Sequence, residues 1–144
     1  MKKVLLIIIL TSLIASHAIS ETVLYCTEEL STGIFNDRDN KTSRVSEFTT
    51  ERYTIKFNND YSKLKILPNH PIPDNFDRED FIKTFYCHFP FESEDYLFCD
   101  ERYGQSFKYY IMTGRFVHTT VSPVGYIGNK ATHDSISAGQ CDKF

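Results

Sequence analysis

From Gln105 to Val121 the chain reads Gln-Ser-Phe-Lys-Tyr-Tyr-Ile-Met-Thr-Gly-Arg-Phe-Val-His-Thr-Thr-Val, two aromatic and β-branched runs around Met112-Thr113-Gly114. Such side chains favour a pleated, half-buried surface. A three-residue loop with glycine in its last, left-handed position closes a hairpin with a bulge. That loop sets Ile111 opposite Arg115, Tyr109 opposite Val117 and Phe107 opposite Thr119. Phe107, Tyr109, Ile111, Val117 and Val121 then share the apolar face, and His118 falls on the opposite face from Val117. A lone hairpin is marginal in water, so further strands must cover that face.

The rest of the chain supplies them. Arg52 to Asn58 alternates, with Tyr53, Ile55 and Phe57 on one side and Arg52, Thr54 and Lys56 on the other, as in a strand with one face on a core. Asn58-Asn59-Asp60 is a turn, and Ser62 to Leu67 sets Leu64 and Ile66 against Lys63 and Lys65. Thr22 to Cys26 is a short strand, whereas Glu28 to Asn40 is polar and irregular, with room for one helical turn near Glu28. Phe81 to Phe89 places Phe81, Phe85, Cys87 and Phe89 on one face with Lys83 among them. Pro90 to Asp95 is an acidic turn, Tyr96 to Cys99 a strand, Ser122 to Lys130 a loop, and His133 to Cys141 a last strand diluted by Ser and Gly. Between residues 68 and 80, Pro68, Pro71 and Pro73 break the pattern, which reads as a mobile loop. No stretch keeps a helical period. The expected fold is all-β: an antiparallel meander of about eight short strands, closed as a small barrel-like sheet or packed as a two-sheet sandwich. Closure is preferred because it brings the strand of Cys26 beside that of Cys141.

Residues 1–20 read as a signal peptide. Met1-Lys2-Lys3 precedes an apolar run from Val4 to Ala15, and Ala18 and Ser20 stand at the minus-three and minus-one positions of a cut after Ser20. A cut after Ala18 is the close alternative. An uncleaved anchor fits less well, because a membrane span takes ~20 apolar residues. Residues 21–144 then form a single β-rich domain, periplasmic or secreted. Removing the two signal lysines from 16 basic residues leaves 14 against 19 acidic, a net charge of −5. That disfavours nucleic acid and anionic membrane surfaces as partners, and no membrane span is expected once the signal is gone.

Four cysteines in a short exported chain imply two disulfides that staple the fold. Cys87 and Cys99 flank the acidic turn, which sets them opposite each other on one face. Cys26 and Cys141 then pair near the two ends of the domain. A zinc site would want a Cys-x-x-Cys pair, and Cys87-His88 on a strand point to opposite faces. No metal and no cofactor is expected.

Tyr25-Cys26, Glu51-Arg-Tyr-Thr-Ile-Lys-Phe57, Ser106-Phe107 with Thr113-Gly-Arg-Phe-Val117, and the ending Gly139-Gln-Cys-Asp-Lys-Phe144 resemble a group of small uncharacterised bacterial exported proteins that end in Gly-x-Cys-x-Lys-Phe. The resemblance implies a bacterial source and export. It carries over no activity and no site residue.

Motifs of known chemistry do not occur: no Gly-x-Ser-x-Gly, no His-Glu-x-x-His, no phosphate-cradling loop. Four histidines remain after the signal: His70 in the proline-rich stretch, His88 on an outer face, His118 on the hairpin and His133 beside Asp134. They lack ligand spacing and read as scattered surface residues. Ser135 or Ser137 with His133 and Asp134 suggests a triad, but strand neighbours point apart and cannot assemble one locally. Asp37-Arg-Asp-Asn-Lys41 starts like a calcium loop and lacks its glycine and its closing glutamate. Asn40-Lys41-Thr42 is a glycosylation acceptor only in a eukaryotic secretory pathway.

These features point first to a non-enzymatic binding or envelope-associated module for a protein or small-molecule partner, supported by 12 Phe and nine Tyr in a small chain. The alternatives are a small secreted or periplasmic hydrolase whose residues meet only in the fold, and an inhibitor of a secreted enzyme that uses Pro90 to Asp95. Converging histidines and carboxylates in a cleft would favour the enzyme, and an aromatic barrel mouth would favour binding.

Overall fold

Every run with period-two alternation is a strand in the computed structural model, which describes residues 21–37, 41–69, 71–72, 77–90, 93–121 and 131–143. The strands are β1 (Thr22–Asp37), β2 (Thr42–Glu47), β3 (Arg52–Phe57), β4 (Lys63–Pro68), β5 (Lys83–His88), β6 (Tyr96–Asp100), β7 (Gln105–Tyr110), β8 (Arg115–Thr120) and β9 (Ala131–Lys143). All pairings are antiparallel, in the order β1-β3-β4-β5-β6-β7-β8-β9, and β9 pairs back onto β1. Eight strands therefore close into a barrel, and the choice between barrel and sandwich is resolved. The ninth strand, β2, lies beside the second half of β1. The expected signal peptide at residues 1–20 lies outside the described residues, as do His70 and most of the calcium-like run at residues 37–41.

The expected short first strand is instead 16 residues long, and the irregular stretch with a helical turn is strand. A β-bulge hides its pattern. Glu28 pairs with Gly139 and Leu30 with Ala138, leaving Glu29 as an extra residue. The extra residue shifts the phase of the alternation. Leu24, Cys26 and Glu28 point inward, Leu30 points out at 56% exposure, and Ser31 is buried again. Glu29 reaches outward instead, and its Oε2 accepts from Arg115 Nη2 at 2.8 Å.

The central hairpin forms one residue out of the expected register. Phe107 pairs with His118, Lys108 with Val117 and Tyr109 with Phe116. Gly114 does adopt the left-handed conformation, with φ of 67°, and its amide donates to Tyr110 O at 2.9 Å. The loop, however, takes in Ile111 as well as Met112, Thr113 and Gly114. One additional loop residue exchanges the two faces of β8. Phe116 and His118 therefore point into the barrel, Val117 turns outward beside Lys108, and Ile111 and Val121 are exposed. Two smaller corrections concern β5. Phe81 closes a 3-10 turn (Arg78–Phe81) rather than opening the strand, and Phe89 lies past its end, exposed.

Inside, the barrel is divided along its axis. Leu24, Ile55, Phe57, Leu64, Phe85, Leu97, Phe107 and Phe116 fill one part and are essentially inaccessible. Phe107 stacks on Phe116 with ring centroids 5.2 Å apart. Lysines and arginines such as Arg52, Lys56, Lys65 and Arg115 take the alternate, outward positions. The disulfides Cys26–Cys141 and Cys87–Cys99 are both formed, the first across the β1–β9 seam and the second between β5 and β6. Two such bridges indicate an oxidising environment. Among the described residues no helix is long and apolar enough to cross a membrane.

Gly139 lies at the bulge, where β1 and β9 approach closely. A Cβ there would lie 2.1 Å from Thr27 O and 2.9 Å from both Glu28 Cα and Phe116 Cε1. Backbone cannot yield as a side-chain tip can. Gly139→Ala is therefore expected to destabilise the barrel by about 2–3 kcal/mol, the upper part of the overpacking range, read as a lower urea midpoint. An unchanged midpoint would show that the seam can spread.

Candidate functional site: the barrel mouth

The inward rows of four strands change from apolar to polar along the same axis. On β1 it runs Leu24, Cys26, Glu28 and, past the bulge, Ser31; on β3 it runs Phe57, Ile55, Tyr53. On β8 it runs Phe116, His118, Thr120, and on β9 Cys141, Gly139, Ser137, Ser135. The polar ends converge on a cavity of about 440 Å³, whose lining includes Glu28, Tyr53, Lys83, His118 and Ser137. The segment between β2 and β3 crosses this mouth and adds Phe48, Thr49 and Glu51. It is held on both sides: Phe48 N donates to Ser31 O at 2.9 Å, Glu28 N to Glu51 O at 3.0 Å, and Glu51 N to Glu28 Oε2 at 2.9 Å.

Two polar atoms in this wall lack a hydrogen-bond partner among the described residues: Tyr53 Oη and His118 Nε2. Tyr53 is only 5% exposed. Burial, reinforced by Glu28 and Glu51, pushes its phenol well above the ordinary range, so it stays protonated. The His118 ring lies among Phe85, Phe107 and Tyr53, at centroid distances of 6.1, 5.9 and 6.5 Å. Burial, and secondarily the charge of Lys83, lowers its pKa to about 4, so it is neutral at pH 7. Native proteins pair most buried polar groups, and an unpaired one costs about 1–3 kcal/mol. Two such atoms on residues that line one cavity make its wall a candidate for taking up a polar group from outside.

The three described histidines are thus not equivalent surface residues. His88 is exposed on the outer face, as expected, with its ring 5.6 Å from Phe98. His133 sits at the rim, 5.4 Å from Phe48. His118 is the correction, displaced from the outer to the inner face by the slip of register. Directly across the β8–β9 ladder it pairs with Ser137, which pairs in turn with Ser31 on β1. The local triad does not assemble: His133, Ser135 and Ser137 line the cavity, whereas Asp134, a strand neighbour of His133, lies on the opposite face. Among the described residues no three His, Cys, Asp or Glu side chains are grouped to hold a metal ion. Sequence reasoning missed Glu28, Tyr53 Oη and His118 as a set. The signal available was the polar end of each inward row, which becomes visible only once strand directions and registers are known. Comparison with known protein families, curated proteins and solved structures returns no match.

Proposed function

We propose that this chain is an exported, non-enzymatic barrel that binds a small molecule in its mouth. The observation that carries the reading is the cavity of about 440 Å³ lined by Tyr53 and His118, two residues whose buried Oη and Nε2 have no hydrogen-bond partner among the described residues. Closed eight-stranded barrels are wide enough either to fill with side chains or to hold one small ligand. This one does the first at one end and has room for the second at the other. The volume falls within the range of ~300–1,000 Å³ typical of small-molecule sites. Binding is favoured over hydrolysis because His118 sits among aromatic rings and its Nε2 bonds to no hydroxyl, so that nitrogen does not activate a serine as a nucleophile. The inhibitor reading would rest on Pro90 to Asp95, part of which lies outside the described residues. The two bridges, the signal-like start and the resemblance of several short segments support a periplasmic or secreted location in a bacterium.

The test is a fragment titration of the ¹⁵N-labelled protein. Bound fragments are expected to shift the amides of Ser31, Tyr53, His118 and Ser137 and to leave Leu24 and Leu97, at the filled end, in place. Shifts confined to the outer face, or absent across a broad library, would sink the reading.

A further inference from the structure

The mouth carries more negative than positive charge, and the two signs are set apart. Glu28 is a carboxylate at only 9% exposure, with one oxygen committed to the Glu51 amide. The Glu51 carboxylate stands beside it, and both act on the Tyr53 phenol. Lys83 is the one ammonium among the described lining residues. It is exposed, and its Nζ is engaged by Gln105 Oε1 at 2.9 Å. His118 adds no charge at neutral pH. A ligand in this cavity therefore meets two carboxylates against one engaged cation. The more deeply placed carboxylate is largely removed from water, where its attraction for a cation is least screened.

Resting on the binding reading above, we infer that the ligand class is a small organic cation. Its ammonium lies against Glu28 and shares a proton with Tyr53 Oη, and its apolar body lies along Phe48, Ile66 and Phe81. The groups match in kind. An ammonium has three donors and no acceptor, and the wall offers the Glu28 carboxylate, the phenol oxygen and the hydroxyls of Ser31 and Ser137 to receive them. An anion of the same size would bring a like charge to both carboxylates and would have only the engaged Lys83 in its favour.

Three probes with one ring and different heads test this on the whole exported protein: 2-phenylethylamine, 2-phenylethanol and 3-phenylpropanoate, each followed calorimetrically and by the mouth amides. The amine is expected to bind at least about tenfold more tightly than the alcohol, and the carboxylate most weakly. Glu28→Gln keeps an acceptor for the Glu51 amide and should reduce the amine to the affinity of the alcohol. Should that variant fail to fold, Glu51→Gln, at an exposed position, must weaken the amine and not the alcohol. Alcohol or carboxylate binding at the mouth as tightly as the amine would overturn the cation inference and leave the binding reading standing. No response at the mouth to any of the three would also overturn it, and the fragment titration then decides the binding reading separately.

Discussion

Replacing Cys26 and Cys141 together by Ser is expected to cost about 4–5 kcal/mol, against about 3 kcal/mol for the Cys87→Ser/Cys99→Ser pair, by the chain-entropy estimate. The bridges close loops of very different length, with sequence separations of 115 and 12. The longer loop restricts nearly the whole domain in the unfolded state. A domain of this size has about 5–15 kcal/mol in total, so the terminal bridge is a large share of it. In melting temperature the loss corresponds to roughly 10–20 °C. Double variants are the fair comparison, because a single Cys→Ser change leaves a free thiol on the partner strand. Equal losses from the two pairs would mean that the long β1–β9 ladder, from Leu24–Lys143 to Asp37–Ala131, already restrains the reduced chain.

The second large effect is expected from His118. Its pKa falls from 6.5 to about 4 on folding. A depressed histidine acts in a definite direction. Below pH 6.5 the unfolded chain takes up a proton that the folded barrel does not, so stability falls as pH drops, and the loss is complete near pH 4. The size is about 3 kcal/mol, from about 1.4 kcal/mol per pKa unit. The groups around the ring support this. Phe85 and Phe107 exclude water, Tyr53 is neutral, and Lys83 on β5 opposes a second positive charge. Carboxylates titrate in the same range, so the comparison must be with His118→Phe. The variant should lose less stability between pH 7.5 and pH 4.5 than the parent, by most of that amount. Parallel urea-midpoint profiles would show that His118 is not the titrating group.

Much of the fold was legible because period-two alternation is a local property. Tyr53-Ile55-Phe57 and Leu64-Ile66 needed only their own neighbours to be read as strands, and Cys87 opposite Cys99 followed from one short turn. What escaped the sequence depended on single residues that change phase. Glu29 in the bulge made β1 look irregular, and Ile111 in the loop turned His118 from an outward to an inward residue. Neither carries a compositional mark: the bulge is set by pairing partners far along the chain, and the loop by the register of the whole hairpin. The site was hidden for the same reason. Glu28, Tyr53, His118 and Ser137 lie on β1, β3, β8 and β9, and nothing in their spacing brings them together until the barrel closes.

The seam between β1 and β9 also bears on how the molecule is assembled. Strands β3 to β8 each pair with the next along the chain, through short connections except for residues 69–82 between β4 and β5, and can pair as they are made. The first strand waits for the last: its second edge finds a partner only when residues about a hundred positions away arrive. Pairings of such high contact order place folding in the millisecond-to-second regime. Until β9 docks, β1 presents an open ladder to any other extended chain. Final closure is therefore withheld until the last strand is present, and only then can Cys26 and Cys141 meet to be oxidised, in the oxidising environment that the two bridges indicate.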